Sequence, residues 1–359
     1  MHKIRVLVVE DSLTVRKRLV EVLSSDQALE VVGEASDGKT AVELCQALRP
    51  DVMTLDMMLP VMTGLAVTEY VMAFFPTPIL VVSASTNRGE VFKTYDALAA
   101  GAVDVLDKTL GDDPGEQWER KLVEAVKMVS RIRVITHPRA RLRRLALEPR
   151  VPDFERRQNG EPRLVAIGAS TGGPGAVHAI LRALPEDFPL PVLLVIHICE
   201  PFASSLAEWL DDQTQLVVRH AIDGERLPAP SAGRGTVLMA PPRSHLIVQR
   251  GRLGLTSDPE RHSCRPSVDV LFESIAAECA TQSLACLLTG MGRDGAQGLL
   301  AIQKCGGTTI AQDEATSVVY GMPREAVLLG AAGRVLPLEQ IAPAMIAWSG
   351  WQGTLRSET

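Results

Sequence analysis

Short apolar runs separated by helical stripes fill the first third of the chain. The runs are IRVLVV, LEVVGEA, DVMTLD, PILVVS and AVDVLD. Between them apolar residues recur at three- and four-residue spacing, as at Val15, Leu19, Val22 and Leu23, the period of one helix face. Five strands alternating with helices predict a doubly wound parallel sheet. After an intervening segment rich in arginine and proline, a second alternating block begins at residue 163. RLVAIGAS is a strand entering a Gly-rich turn, and GAVHAILRAL has a helix period. LPVLLVIH and SLACLLTGMG read as further buried strands. The chain therefore divides into an α/β domain over 1–125, a partly extended linker over 126–162, and a second α/β domain over 163–350. The final polar residues, roughly 351–359, are expected to fray.

Composition narrows the class. Of 359 residues, 46% are apolar and 22% charged, an ordinary globular balance, and the net charge of −6 argues against nucleic acid as a partner. The six cysteines (Cys45, Cys199, Cys264, Cys279, Cys286 and Cys305) are dispersed and form no C-x-x-C pair, so reduced thiols in a cytoplasm fit better than a disulfide framework or a zinc site. The N-terminus reads as a buried first strand, not a signal peptide, and no apolar run is long enough for a membrane span.

Acids and polar residues close the strands of the first domain. Glu10 and Asp11 follow the first strand and Asp56 the third, while Ser83 ends the fourth and Lys108 follows the fifth. In an open parallel sheet the carboxyl ends of the strands line the ligand crevice. Clustered carboxylates there repel one another unless a hard cation such as Mg2+ bridges them, and a hydroxyl with an ammonium can bind phosphate oxygens. On EDS, LDMMLPVMTG around Asp56, VSA and DKT, this domain resembles the receiver domain of two-component response regulators. The resemblance implies that Asp56 accepts a phosphoryl group from a sensor histidine kinase. It also implies Mg2+ held by Glu10, Asp11, Asp56 and the Met58 carbonyl, with Ser83 and Lys108 as the switch residues. Two positions depart from that pattern. Val105 stands where receivers often carry an aromatic ring, so the signal is expected to pass through Ser83, and Met58 stands where an acid is common.

In the second domain GASTGGP places Ser170 between a strand and a helix, where free N–H groups favour an anion. Such a turn also opens dinucleotide-binding units. That alternative would call for an acid at a strand end about twenty residues later. Glu186 and Asp187 instead lie in a Pro-flanked loop, and no tyrosine is followed four residues later by lysine as a short-chain dehydrogenase requires. His178 lies eight residues along the helix from Ser170, about 12 Å of rise, too far to act as its base. His197 ends a strand and is the better candidate. Asp294, after another strand, is either an N-cap or the residue that orients His197.

Taken with RPSVDVLF, LTGMGRDG and AQDEATSVVYGMP, these motifs resemble the catalytic domain of chemotaxis protein-glutamate methylesterases, the CheB family, over about 163–347. The resemblance implies a triad of Ser170, His197 and Asp294, an oxyanion donor at the Met291 N–H, and Thr171 beside the nucleophile. It implies hydrolysis of glutamate 5-methyl esters, and deamidation of selected glutamines, on methyl-accepting chemoreceptors. The receiver domain would cover the active-site cleft until Asp56 is phosphorylated. Mg2+ would serve the receiver alone, with no cofactor at the catalytic site. Ile196 and Ile198 flank His197 where relatives often have Gln and Met, which bears on substrate contacts, and Cys199 is expected to be a small buried residue. A regulator with a degenerate esterase domain, and an esterase serving a chemosensory pathway other than motility, are the competing expectations.

Overall fold

The computed structural model describes residues 3–84, 88–108, 117–132, 134, 163–198, 202–230 and 233–351. Most of the expected linker, and Cys199, lie outside the described residues. The chain divides into two compact units.

In the N-terminal unit the elements run β1 (Ile4–Val9), α1 (Leu13–Ser25), β2 (Leu29–Ala35), α2 (Gly38–Leu48), β3 (Val52–Leu55), α3 (Gly64–Phe74), β4 (Ile79–Ser83), α4 (Arg88–Ala100), β5 (Asp104–Asp107) and α5 (Gln117–Val129). Local chemistry fixes the helix starts. Ser12 caps α1 by accepting from the Val15 N–H, and Asp37 caps α2 by accepting from Thr40. The stripe expected on α1 is inward-facing, with Leu19, Val22 and Leu23 buried. All strands are parallel in the order β2-β1-β3-β4-β5, the five-stranded sheet expected from the sequence. The central strands β3 and β4 are buried at every position, as strands covered on both faces must be. Register aligns Val9 with Leu55 and Ser83 with Asp107, so the residues after these strands gather at one edge.

The C-terminal unit contains β6 (Leu164–Ala169), α6 (Gly173–Ala183), β7 (Val192–Ile196), α7 (Phe202–Gln213) from Leu206 onward, β8 (Val217–His220), β9 (Thr236–Met239), β10 (His245–Gln249), β11 (Arg252–Thr256), α8 (Val268–Cys279), β12 (Ser283–Leu287), α9 (Ala296–Lys304), β13 (Thr308–Gln312), α10 (Met322–Leu328), β14 (Arg334–Leu336) and α11 (Leu338–Ser349). Seven parallel strands lie in the order β14-β13-β12-β6-β7-β9-β8, beside a separate antiparallel hairpin of β10 and β11. Sequence reading located β6, β7 and β12, and the hairpin was not foreseen. Strand order departs in both directions from β6, so β6 and β12 bound a topological switch point, the place where open α/β sheets bind ligands. Helix α8 packs Leu271, Phe272 and Ile275, all fully buried, into the core beneath this point. Each such side chain contributes about 1.5–3 kcal/mol of burial. Among the described residues no helix is long and apolar enough to cross a membrane.

Candidate active site

At the sheet edge of the N-terminal unit, Glu10 and Asp56 are buried and Asp11 is exposed. Carboxylate oxygens of all three lie within 4.8 Å of one another. Lys108 reaches between them, with Nζ 2.6 Å from Glu10 Oε2 and 2.9 Å from Asp56 Oδ1. Burial pushes the Glu10 carboxyl up, opposed by the Lys108 ammonium. Asp56 Oδ1 also accepts the Met57 N–H at 2.8 Å. Ser83 is buried at the end of β4, and its carbonyl accepts the Lys108 N–H. Met58 is exposed beside Lys93. Gly64 lets the chain turn back close to Asp56: a Cβ there would lie 2.4 Å from the Asp56 carbonyl oxygen. The sequence-expected residues thus share one edge.

In the C-terminal unit Ser170 and His197 follow adjacent parallel strands whose register pairs Ala169 with Ile196. The Ser170 N–H donates to the Thr289 carbonyl, and the His197 N–H to that of Ala169. These bonds pin both residues at one sheet edge. The turn after Ser170 is tight: Gly172 has φ +76°, and a Cβ there would strike Val318 at 2.5 Å. Thr171 is buried, and its carbonyl accepts from Thr289 Oγ1. Met291 lies past β12 with an exposed side chain, next to Gly290, whose N–H donates to Val319. His178 is buried against Trp209, with ring centroids 5.0 Å apart.

Asp294 is buried and saturated with donors. Its Oδ1 accepts the Ser267 hydroxyl at 2.7 Å and the Asp269 N–H at 3.0 Å, while Oδ2 accepts the Val268 N–H at 2.7 Å. His197 Nε2 lies 3.0 Å from the same Oδ2. The residue that caps its own helix α9 is Gly295, so the N-cap expectation for Asp294 does not hold. The carboxylate instead sits over the N-terminus of a different helix, α8, where unsatisfied N–H groups stabilise an anion. Burial pushes its pKa upward, but the bonds from His197, Ser267 and Asp269 prevail and hold it below the usual carboxylate value.

The other ring nitrogen, His197 Nδ1, faces the half-buried Cys264, 3.7 Å from Sγ. The Ser170 hydroxyl makes no hydrogen bond to the ring. Burial disfavours the charged imidazole, yet Asp294 and Cys264 together push the His197 pKa up to about 9. Cys264 belongs to a tight turn, with Arg261 and Cys264 exchanging backbone hydrogen bonds. His262 and Ser263 there take positive φ of 52° and 60°. The turn is tied down by His262 Nε2, 3.0 Å from the fully buried Asp269 carboxylate, which burial pushes up in pKa.

Two parts of this arrangement were missed from sequence. Ser267, the α8 cap, was visible only as part of RPSVDVLF, although a serine directly before an apolar helical run is an N-cap signal. Cys264 carries no local signal at all, because its contact with His197 spans 67 residues.

Comparison with known proteins gives two domain families. The CheB methylesterase family matches residues 165–345, and the response regulator receiver domain matches residues 6–116. The protein-glutamate methylesterase/protein-glutamine glutaminase of Nitrosospira multiformis is 42% identical over 348 residues, covering 95% of this chain and 96% of its own. That of Symbiobacterium thermophilum is 43% identical over 357 residues, with 95% and 96% covered. The crystal structure of the Thermotoga maritima CheB methylesterase catalytic domain is 36% identical, covers 52% of this chain and 99% of its own, and has a TM-score of 0.49.

Proposed function

The chain belongs to the CheB methylesterase family, and from that premise we propose that it hydrolyses glutamate 5-methyl esters, and deamidates selected glutamines, on the cytoplasmic parts of chemoreceptors. It does so under control of phosphorylation at its receiver domain, in the cytoplasm. The receiver spans 1–125 and the catalytic domain 163–350. Residues 126–162 join them, the first few completing α5.

The observation that carries this reading is the seat of Asp294. A carboxylate held ionised by the α8 N-terminus, and 3.0 Å from His197 Nε2, supports that nitrogen as the N–H donor and Nδ1 as the base. Ser170 follows the strand adjacent to that of His197. Catalytic hydrogen bonds often tighten only with substrate bound, so Ser170 is assigned as the nucleophile and His197 as its base. Ser170 Oγ attacks the ester carbonyl as its proton passes to His197 Nδ1. The tetrahedral oxyanion is met by the Met291 N–H, and Thr171 stands beside the nucleophile. His197 gives the proton to the departing methoxide oxygen, which leaves as methanol, or to the departing amide nitrogen, which leaves as ammonia. Water activated by the same nitrogen then cleaves the acyl-enzyme. Asp294 balances the imidazolium charge throughout.

At the receiver, the all-oxygen cluster of Glu10, Asp11 and Asp56 suits Mg2+, with the Met58 carbonyl as a fourth ligand. When bound, the ion offsets charge on an incoming phosphoryl group. Asp56 is the acceptor from a sensor histidine kinase, and Ser83 and Lys108 bind phosphoryl oxygens. The deciding experiment follows methanol release from a methylated chemoreceptor fragment, with Mg2+ and a small phosphodonor, for the parent and Ser170→Ala. A loss of roughly 10⁴–10⁶-fold is expected. Equal release from both proteins, or none from either with Asp56 demonstrably phosphorylated, overturns the reading.

A further inference from the structure

Cys264 sits where the base nitrogen of the catalytic histidine should be open. Its Sγ is 3.7 Å from His197 Nδ1 and 3.4 Å from the His262 carbonyl oxygen. A tetrahedral zinc ion bound by one thiolate and one imidazole sets its sulfur and nitrogen ligands about 3.6 Å apart, from bonds of about 2.3 and 2.05 Å. The pair already stands at that separation. Behind it, His197 presents its second nitrogen to Asp294 at 3.0 Å. That is the support a metal-binding histidine ordinarily has, since a carboxylate on the far N–H orients the ring and raises its basicity. A ring nitrogen, the Cys264 sulfur and an Asp294 oxygen all lie within 4.8 Å of one another.

We propose that Cys264 and His197, backed by Asp294, form an inhibitory binding site for a borderline-soft divalent cation of the zinc class. Thiolate and imidazole select such ions over Mg2+, which the acidic cluster of the receiver takes instead. Binding replaces two waters on the metal with the thiolate and the Nδ1 lone pair, and releases the thiol proton and the Nδ1 proton to solvent. No electron changes hands. The metal then occupies the nitrogen that must accept the Ser170 proton, so hydrolysis stops until the ion is chelated away. The turn carrying Cys264 is held by His262 on buried Asp269, and the sulfur is therefore presented by a rigid support. This consequence for hydrolysis rests on the esterase reading above; the binding itself does not.

The test therefore has two arms. In the first, Co2+ is added to the full-length protein in excess Mg2+, and thiolate-to-metal charge-transfer absorption is recorded in the near ultraviolet. The band should appear in the parent and in Cys305→Ser, and be lost in Cys264→Ser and His197→Gln. Circular dichroism checks that both variants are folded. Absence of a Cys264-dependent band removes the site whatever the esterase activity. In the second arm, Zn2+ is titrated into the methanol-release assay, with recovery on chelation, and the half-inhibiting concentration should rise at least about tenfold in Cys264→Ser. A band without zinc inhibition overturns the inhibitory role.

Discussion

Replacing Asp294 with asparagine tests the centre of the mechanism, because the two side chains have the same shape and differ in charge and donors. Each oxygen of Asp294 accepts one backbone N–H: Oδ1 that of Asp269, Oδ2 that of Val268. Whichever way an asparagine amide is turned, its NH2 faces one of those donors. Ser267 can rotate its hydroxyl to accept, but a backbone N–H cannot. One buried N–H is thus left unsatisfied, costing about 1–3 kcal/mol, and the remaining bonds lose their charge assistance. A total near 3 kcal/mol lowers the melting temperature of a domain this size by about 6–12 °C. The imidazolium formed during acylation also loses its counter-ion, and in one amide orientation the ring is driven to the wrong tautomer. Turnover should fall about 10⁴-fold. Methanol release and the thermal transition of the C-terminal domain would be measured on the full chain. Turnover within tenfold of the parent, or an unchanged transition, refutes the claim that Asp294 is held as an anion by α8 and orients His197.

Other outcomes follow from the same geometry. Ser267→Ala removes the 2.7 Å bond to Asp294 and the α8 cap, and should cost about 1–2 kcal/mol by thermal scan. Its turnover loss should be smaller than that of Asp294→Asn, since two backbone donors remain. Gly290→Ala would place a methyl 2.3 Å from Met322 Sδ and 2.7 Å from Ser170 Cβ, so steady-state assays should show activity lost together with stability. Asp56→Asn should keep basal methanol release and lose all response to a phosphodonor; a variant still activated would refute the assigned acceptor. A base must be unprotonated, and His197 holds its proton up to a pKa of about 9. The unphosphorylated rate should therefore climb with pH until about 9, and a profile already flat above the ordinary histidine value contradicts the geometry. Because this pKa is raised from 6.5, the ring's contribution to stability is full below about 6.5 and is lost as pH rises through about 9.

Much of this protein is written in local patterns. Alternation of apolar runs and helical stripes determined two α/β domains, and the polar residue ending each run marked the crevice edge, since parallel strands bring their carboxyl ends together. That is why Glu10, Asp56, Lys108, Ser170 and His197 could be picked out one by one. The strands β8, β10, β11 and β14 are only partly buried and mix polar with apolar residues, so they lack the unbroken apolar runs of the fully buried β6, β7 and β12. The decisive features of the site are long-range. Asp294 meets the α8 N-terminus across 25–27 residues, and only the folded sheet reveals that it serves another helix and not its own. Which nitrogen of His197 meets Asp294, and that Cys264 faces the other across 67 residues, likewise follow from ring orientation in a packed core. Sequence spacing fixes which side chains share a strand end; only packing fixes the distance and direction between atoms on which proton transfer depends.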